Sequence, residues 1–274
     1  MNRKVKSKVK GFPTKDGAGV KLHRVLGHAT VKEFDPILML DSFDSRNPED
    51  YAAGFPMHPH RGIETVSYLC RGNMKHRDSL GFEDSISDGE IQWMTAGSGI
   101  LHEEQLPASE RMLGVQLWLN LPADNKMTKP EYRSIKADQV AEIPFDGGKI
   151  RLLAGKYKEF KGAEGKYLPL NFYDIELEPN SKIEIETAPG DSVMLFTLLS
   201  GVSVEGERIA EKTAAKLTDG SSVTIEAGEK KARTLFIGSR ALGESISWGG
   251  PIVMNTEAEL RQAFLDLRRG SFLK

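Results

Sequence analysis

The stretch GFPMHPHRGIETVSYLC, residues 54–70, decides how this chain is read. Its second part, TVSYLC, is a short run of β-type residues that ends in the single cysteine, Cys70. Its first part sets His58 and His60 two residues apart, with Pro59 between them and glycines at 54 and 62. On a strand, residues i and i+2 leave the same face about 6.6 Å apart, so the two imidazoles point together. Pro59 points the other way and has no N–H for a ladder, which predicts a strand at a sheet edge or a strand start. Paired nitrogens on a strand are half of a metal site, and the other half has to come from elsewhere in the chain.

Working outward, short β-type runs dominate: VSYLC, IQWM, GVQLWLNL, IRLLAG, LNFYDIELE, SKIEIETA, SVMLFTLLSG, SVTIEAG and ARTLFIGS. Gly, Asn-Pro, Pro-Gly, Asp-Gly and Gly-Gly punctuate them, and Lys182–Glu186 alternates polar and apolar. Many short strands with regular turns predict an antiparallel sandwich or barrel. One helix is expected, at the C-terminal end. Thr256 caps EAELRQAFLDLRR, Glu259 completes a capping box, and Leu260, Phe264 and Leu267 form an apolar stripe for packing on a sheet. Residues 121–139, polar and carrying two prolines, read as a connector. Similar strand rhythms on either side of it predict two β domains, 1–125 and 126–274.

Composition excludes several classes. At 274 residues, with 39% hydrophobic and 28% charged residues, the chain reads as a soluble globular protein. A net charge of −2 provides no field for direct binding of nucleic acid or an anionic membrane. The basic start, MNRKVKSKVKGF, lacks the apolar stretch of a signal peptide and reads as a frayed or edge-strand terminus. No apolar run approaches the roughly 18 residues of a membrane span. With one cysteine, no intrachain disulfide can form, which fits a reducing cytoplasm, and Cys70 reads as a small buried residue.

All six histidines precede residue 103, so a histidine-based metal site belongs to the first domain. The second pair is in GSGILHEEQL, residues 97–106, where the two-residue rule puts His102 and Glu104 on one face and Glu103 on the other. Two such strands facing each other supply three nitrogens and one oxygen, a set suited to a divalent first-row metal with positions left open for a substrate oxygen or O₂. Glu64, four residues after His60, is the rival oxygen if a bulge near Gly62 shortens the approach. Glu104 is preferred as ligand, with Glu64 as a supporting or cross-strand charge beside Arg61. His76, among the charges of MKHRDS, reads as a solvated loop residue, His23 and His28 as structural, and Trp93 and Trp118 as core or pocket wall.

Four motifs in this order, GFPMHPHRGIETVSYL, IQWMTAGSGILHEE, GVQLWLNLP and GGPIVMNT before a helix, resemble the pirin family over essentially the whole chain. The resemblance implies an all-β fold of two antiparallel cupin (double-stranded β-helix) barrels packed together, with a C-terminal helix. It implies one metal in the N-terminal barrel, usually Fe(II), held by His58, His60, His102 and Glu104, and a C-terminal barrel without metal. Mn, Co, Ni, Cu and Zn suit the same donors. The chain departs from the family pattern at Glu103, where a small residue is common. Two functions are implied. One is a quercetin 2,3-dioxygenase-like reaction on a flavonol and O₂, with Glu104 as both ligand and base. The other is an iron-dependent regulator that binds a transcription factor or a metabolic enzyme.

Overall fold

The computed structural model describes residues 1–274. The chain divides into two compact units, and neither is continuous in sequence. One comprises Pro13–Ala29, Ile37–Ala137 and Leu242–Lys274, and the other Met1–Phe12, Thr30–Pro36 and Asp138–Ala241. All nine expected strand runs are strands, and the ladders are antiparallel.

The unit that carries the histidines has a seven-stranded and a four-stranded sheet. The larger runs in the order Glu131–Ile135, Ile91–Thr95, Ile63–Arg71, Met112–Asn120, Ile37–Ser45, Val20–Leu26, Phe12–Asp16. The smaller runs Phe55–His60, Ile100–Gln105, Met74–Asp78, Glu83–Ile86, so the strand with Pro59 is an edge, as its missing N–H requires. Alternation grades the interior of this unit. Leu22, Phe43, Leu69, Met74 and Met112 form an apolar core. Two residues along their strands from Leu22, Phe43 and Leu69 come Arg24, Asp41 and Ser67, which line up in register with Gln116 and Gln92 as a polar row.

The C-terminal helix, Glu257–Arg269, belongs to this unit. Thr256 Oγ1 accepts from the Glu259 N–H at 3.2 Å and Glu259 Oε2 accepts from the Thr256 N–H at 2.8 Å, the expected capping box. Gly270, at φ 71°, ends the helix in the left-handed conformation that glycine adopts without strain. Leu260, Phe264 and Leu267 pack with Ala263 against Ile252, Met254 and Phe272. Arg61, 2% exposed, ties this end down: Nη1 meets Asp266 Oδ2 at 2.7 Å, Nη2 donates to Phe272 O at 2.8 Å, and Nε donates to Ser98 O at 2.7 Å.

The other unit repeats the pairing of a seven-stranded with a four-stranded sheet around its own apolar core, to which Ile150, Ile175, Ile185, Leu195, Ile225 and Phe236 contribute. Its outermost strand is Val5–Lys10, paired with Thr213–Leu217, so the basic start is an edge strand.

Two expectations differ from what is observed. The continuous domains 1–125 and 126–274 exchange their ends: the first strand pairs within the later unit, and residues 242–274 pack within the earlier one. Backbone pairing and burial of the helix stripe, which act across any sequence distance, override chain continuity. The expected connector, 121–139, contains the strand Glu131–Ile135, because Ile91–Thr95 offers an unpaired edge there. The only α-helix has 13 residues, and no helix is long and apolar enough to cross a membrane.

Replacing Asp266 with alanine leaves the buried Arg61 guanidinium without its counter-charge, at an expected cost of about 3 kcal/mol. A lower urea midpoint with an unchanged slope tests this, and a midpoint within error of wild type contradicts it.

Candidate metal centre and its pocket

His58 and His60 lie on Phe55–His60 and His102 on Ile100–Gln105, and the two strands pair so that His102 faces His58 and Ile100 faces His60. One ring nitrogen from each histidine lies within 4.8 Å of the other two. Ring centroids are 4.4 Å apart for His58–His102, 4.7 Å for His58–His60 and 5.0 Å for His60–His102.

Backbone carbonyls set the tautomers. His58 Nδ1 lies 2.8 Å from Pro56 O, and His60 Nδ1 lies 3.2 Å from Pro251 O. A carbonyl oxygen only accepts, so each Nδ1 carries the hydrogen and each neutral ring turns a bare Nε2 lone pair inward. These two Nε2 atoms are 3.0 Å apart. His102 is fully buried, and neither of its ring nitrogens has a hydrogen-bond partner. Lone pairs that converge without donors form a site for a cation, and neutral imidazoles are the required ligand form. Burial holds the His60 imidazole down to about 3, His102 well below 6.5, and His58 below it as well.

Glu104 stands outside the group of mutually close nitrogens. Its carboxylate accepts from Gln92 Nε2 and, at 3.1 and 3.2 Å, from Gln116 Nε2. Burial pushes its carboxyl up to about 7, against the pull of these two amides. Trp118 Nε1 donates to Gln116 Oε1 at 3.4 Å, and Gln116 also donates to Ser67 Oγ at 3.0 Å, so the amide is held in one orientation. Glu104, His58 and His60 line a cavity of about 540 Å³ with Gln116, Trp118 and Trp248. Trp118 packs its ring edge-on to His60 at 4.9 Å. Trp248, from residues 242–274, lies 5.8 Å from Trp118 and stacks on His28 at 3.9 Å.

The approach of residues 250–254 requires glycine at 62. A Cβ on Gly62, where φ is 78°, would fall 2.0 Å from Val253 O. Lys126 Nζ bridges the same junction. It donates to Gly62 O at 2.7 Å, to Val253 O at 3.0 Å and to Asn120 Oδ1, and burial lowers its ammonium to about 7.

The remaining candidates resolve as follows. Glu64 accepts from Thr95 Oγ1 at 2.6 Å on the strand Ile63–Arg71 and is not beside Arg61, which engages Asp266. Glu103 meets Arg77 at 2.9 Å, on the opposite face from Glu104. His76 is corrected: it is buried on Met74–Asp78, 2.8 Å from Asp78 Oδ2, stacked on Tyr132 at 4.1 Å and 5.4 Å from His102. The charged Lys75 and Arg77 suggested a loop, yet they point outward while Met74, His76 and Asp78 point in, and that two-residue alternation was the available signal. Cys70 is buried, His23 sits in the ladder opposite Ser42, and His28 is part of the pocket wall. The sequence reading does not single out Gln92, Gln116, Arg24 and Asp41, although each is a polar residue in the alternating row of its strand that also carries buried apolar side chains.

A family model described as "Pirin" matches residues 19–119, and one described as "Pirin C-terminal cupin domain" matches residues 172–273. The chain belongs to the pirin family. Its two units are therefore cupin domains, although residues 242–273 of the second match pack within the first unit. A Pseudomonas aeruginosa protein provisionally named a quercetin 2,3-dioxygenase is 40% identical over 95% of this chain and 94% of its own length. Human pirin is 34% identical over 97% of this chain and 93% of its own. A crystal structure of quercetin 2,3-dioxygenase from Acinetobacter baumannii superposes with a TM-score of 0.92 at 32% identity, covering 99% of both chains.

The buried imidazoles give the metal-free chain a definite pH response. Unfolded histidines titrate near 6.5, whereas His60 and His102 in the folded chain resist protonation. Below about 6.5 the unfolded state therefore takes up protons first, and stability falls with pH. Glu104 acts in the opposite sense: with its carboxyl at about 7, the folded chain binds that proton first and gains stability as pH falls from 7 toward 4.5. Two buried histidines outweigh one carboxyl, so Tm in EDTA is expected to fall from pH 7 to pH 5, and Glu104→Gln is expected to steepen the fall. A Tm that rises over that window contradicts the neutral, buried rings.

Proposed function

We propose that this chain is a metal-dependent dioxygenase of the quercetin 2,3-dioxygenase type, acting on flavonols or related enol and phenol substrates, with His58, His60, His102 and Glu104 holding one divalent ion, Fe(II) first among the first-row metals. The observation that carries the reading is the pair of inward Nε2 lone pairs 3.0 Å apart, joined by a buried His102 with no hydrogen-bond partner, at the wall of an aromatic cavity. The names of the relatives support the substrate class.

A divalent ion bound there would be held by His58, His60, His102 and Glu104, and would supply Lewis acidity toward a substrate hydroxyl. The protein's own residues do the rest. Trp118 and Trp248 present flat apolar surface to a planar ring system. Glu104 accepts the proton released from the substrate hydroxyl, a role its buried carboxylate at the cavity wall beside the histidines suits. Gln92 and Gln116 hold the carboxylate oxygens so that this transfer meets a fixed acceptor. His60, His102 and Glu104 are buried, which limits the water that competes for the proton. The alternative, a metal-gated regulator acting through a protein partner, makes no use of a 540 Å³ aromatic cavity.

The test is to load the chain with Fe(II) without air, add quercetin and then O₂, and follow loss of the flavonol absorbance alongside metal content. Wild type is expected to turn over. His60→Ala is expected to lose both metal and turnover. Glu104→Gln is expected to turn over about 100-fold more slowly or worse. A wild-type chain that holds metal but consumes no flavonol with any of Fe, Mn, Co, Ni, Cu or Zn overturns the dioxygenase reading and leaves the regulatory one.

A further inference from the structure

The polar row inside the histidine-bearing unit extends beyond the groups that hold Glu104. Gln92 faces Ser67, Ser67 faces Gln116, Gln116 faces Asp41, and Asp41 faces Arg24, each across one strand boundary. Opposed residues share a face, so the row leads from the Glu104 carboxylate to Arg24, two strand spacings or about 10 Å past Gln116. Arg24, Asp41 and Asp16 line the same cavity as Glu104 and the two tryptophans. Arg24 Nε donates to Asp41 Oδ1 at 3.0 Å, and Nη2 donates to Asp41 Oδ2 at 2.7 Å and to Asp16 Oδ2 at 2.6 Å. Neither pair uses Nη1.

Stability does not call for this cluster. A buried ion pair offsets little more than its own desolvation, and an apolar pair of similar volume would serve as well. Asp41 is 3% exposed, in a wall that otherwise offers Met39 and Trp118 at neighbouring inward positions. Charged groups placed in a mostly apolar pocket select and orient a ligand.

We propose that Arg24, Asp41 and Asp16 form the specificity-determining end of the pocket, which recognises a phenolic hydroxyl on the part of the substrate furthest from the histidines. This rests on the dioxygenase reading of the same cavity. Two carboxylates against one guanidinium leave a net negative charge, which favours a neutral hydroxyl donor and repels a carboxylate or sulfate. A phenol meets both kinds of group: its hydrogen goes to a carboxylate oxygen and its oxygen accepts from Nη1. A planar skeleton of two linked ring systems has the length to place one hydroxyl at the histidines and another at Arg24, with its faces against the tryptophans. The selected class is thus a hydroxylated, uncharged biaryl-type aromatic, rather than an unsubstituted or an anionic one.

The test measures affinity without turnover, by quenching of tryptophan fluorescence in the anaerobic, metal-loaded chain. Quercetin is compared with galangin, which has the same skeleton without hydroxyls on the pendant ring. Wild type is expected to bind quercetin about fivefold more tightly, the worth of one hydrogen bond of about 1 kcal/mol. The ratio is expected to fall to within twofold of one in Arg24→Gln. The same collapse is expected in the double variant Arg24→Gln with Asp41→Asn, which leaves no buried charge unpaired and so guards against misfolding. A ratio that is unchanged in a folded variant, or that is already one in wild type, overturns the proposal and leaves the dioxygenase reading intact. Absence of flavonol binding to metal-loaded wild type overturns both.

Discussion

Three imidazoles that aim bare nitrogens at one another inside a water-poor fold cannot be left to themselves. Their mutual repulsion has to be met by positive charge, and their rings have to be held against rotating away. Two backbone carbonyls do the holding, Pro56 O for His58 and Pro251 O for His60. Much of the surrounding structure serves that arrangement. Gly62 admits the strand Ile252–Met254, Lys126 bridges the junction, and Arg61 fixes the helix behind it.

The same unit shows how an all-β interior separates stability from chemistry along one axis. Each long strand of the larger sheet contributes to successive layers by simple alternation. Ile37–Ser45 carries Phe43 in the apolar core, then Asp41 in the polar row, then Met39 at the cavity. Met112–Asn120 runs from Met112 through Gln116 to Trp118 in the same way. Polar residues are tolerated because they are bonded to one another: Gln116 engages Ser67, Glu104 and Trp118 together.

Much of this was legible in the sequence. Period-2 patterning and turn residues located the strands, and Thr256 with Glu259 located the helix start. The His58–His60 and His102–Glu104 pairs were visible because a two-residue spacing means a shared face on any strand. Contacts set by partners remote in sequence were not legible. Nothing in GVQLWLNL says that Gln116 meets Glu104, or in KLHRVL that Arg24 meets Asp41, since register across strands is fixed by the whole sheet. The exchange of chain ends was hidden for the same reason, because Val5–Lys10 finds its partner more than 200 residues away at Thr213–Leu217. The inward position of His76 is masked in the sequence by its charged neighbours Lys75 and Arg77, and only the alternation over Met74–Asp78 signals it.

The carbonyl that fixes His60 lies 191 residues further along the chain. At roughly 5–20 residues per second, translation delivers it roughly 10–40 s after the histidine itself. During that interval Asp138–Ala241, the longest segment of the other unit, is made before the first can close. A nascent chain therefore carries His60 through that interval without the carbonyl that fixes its ring.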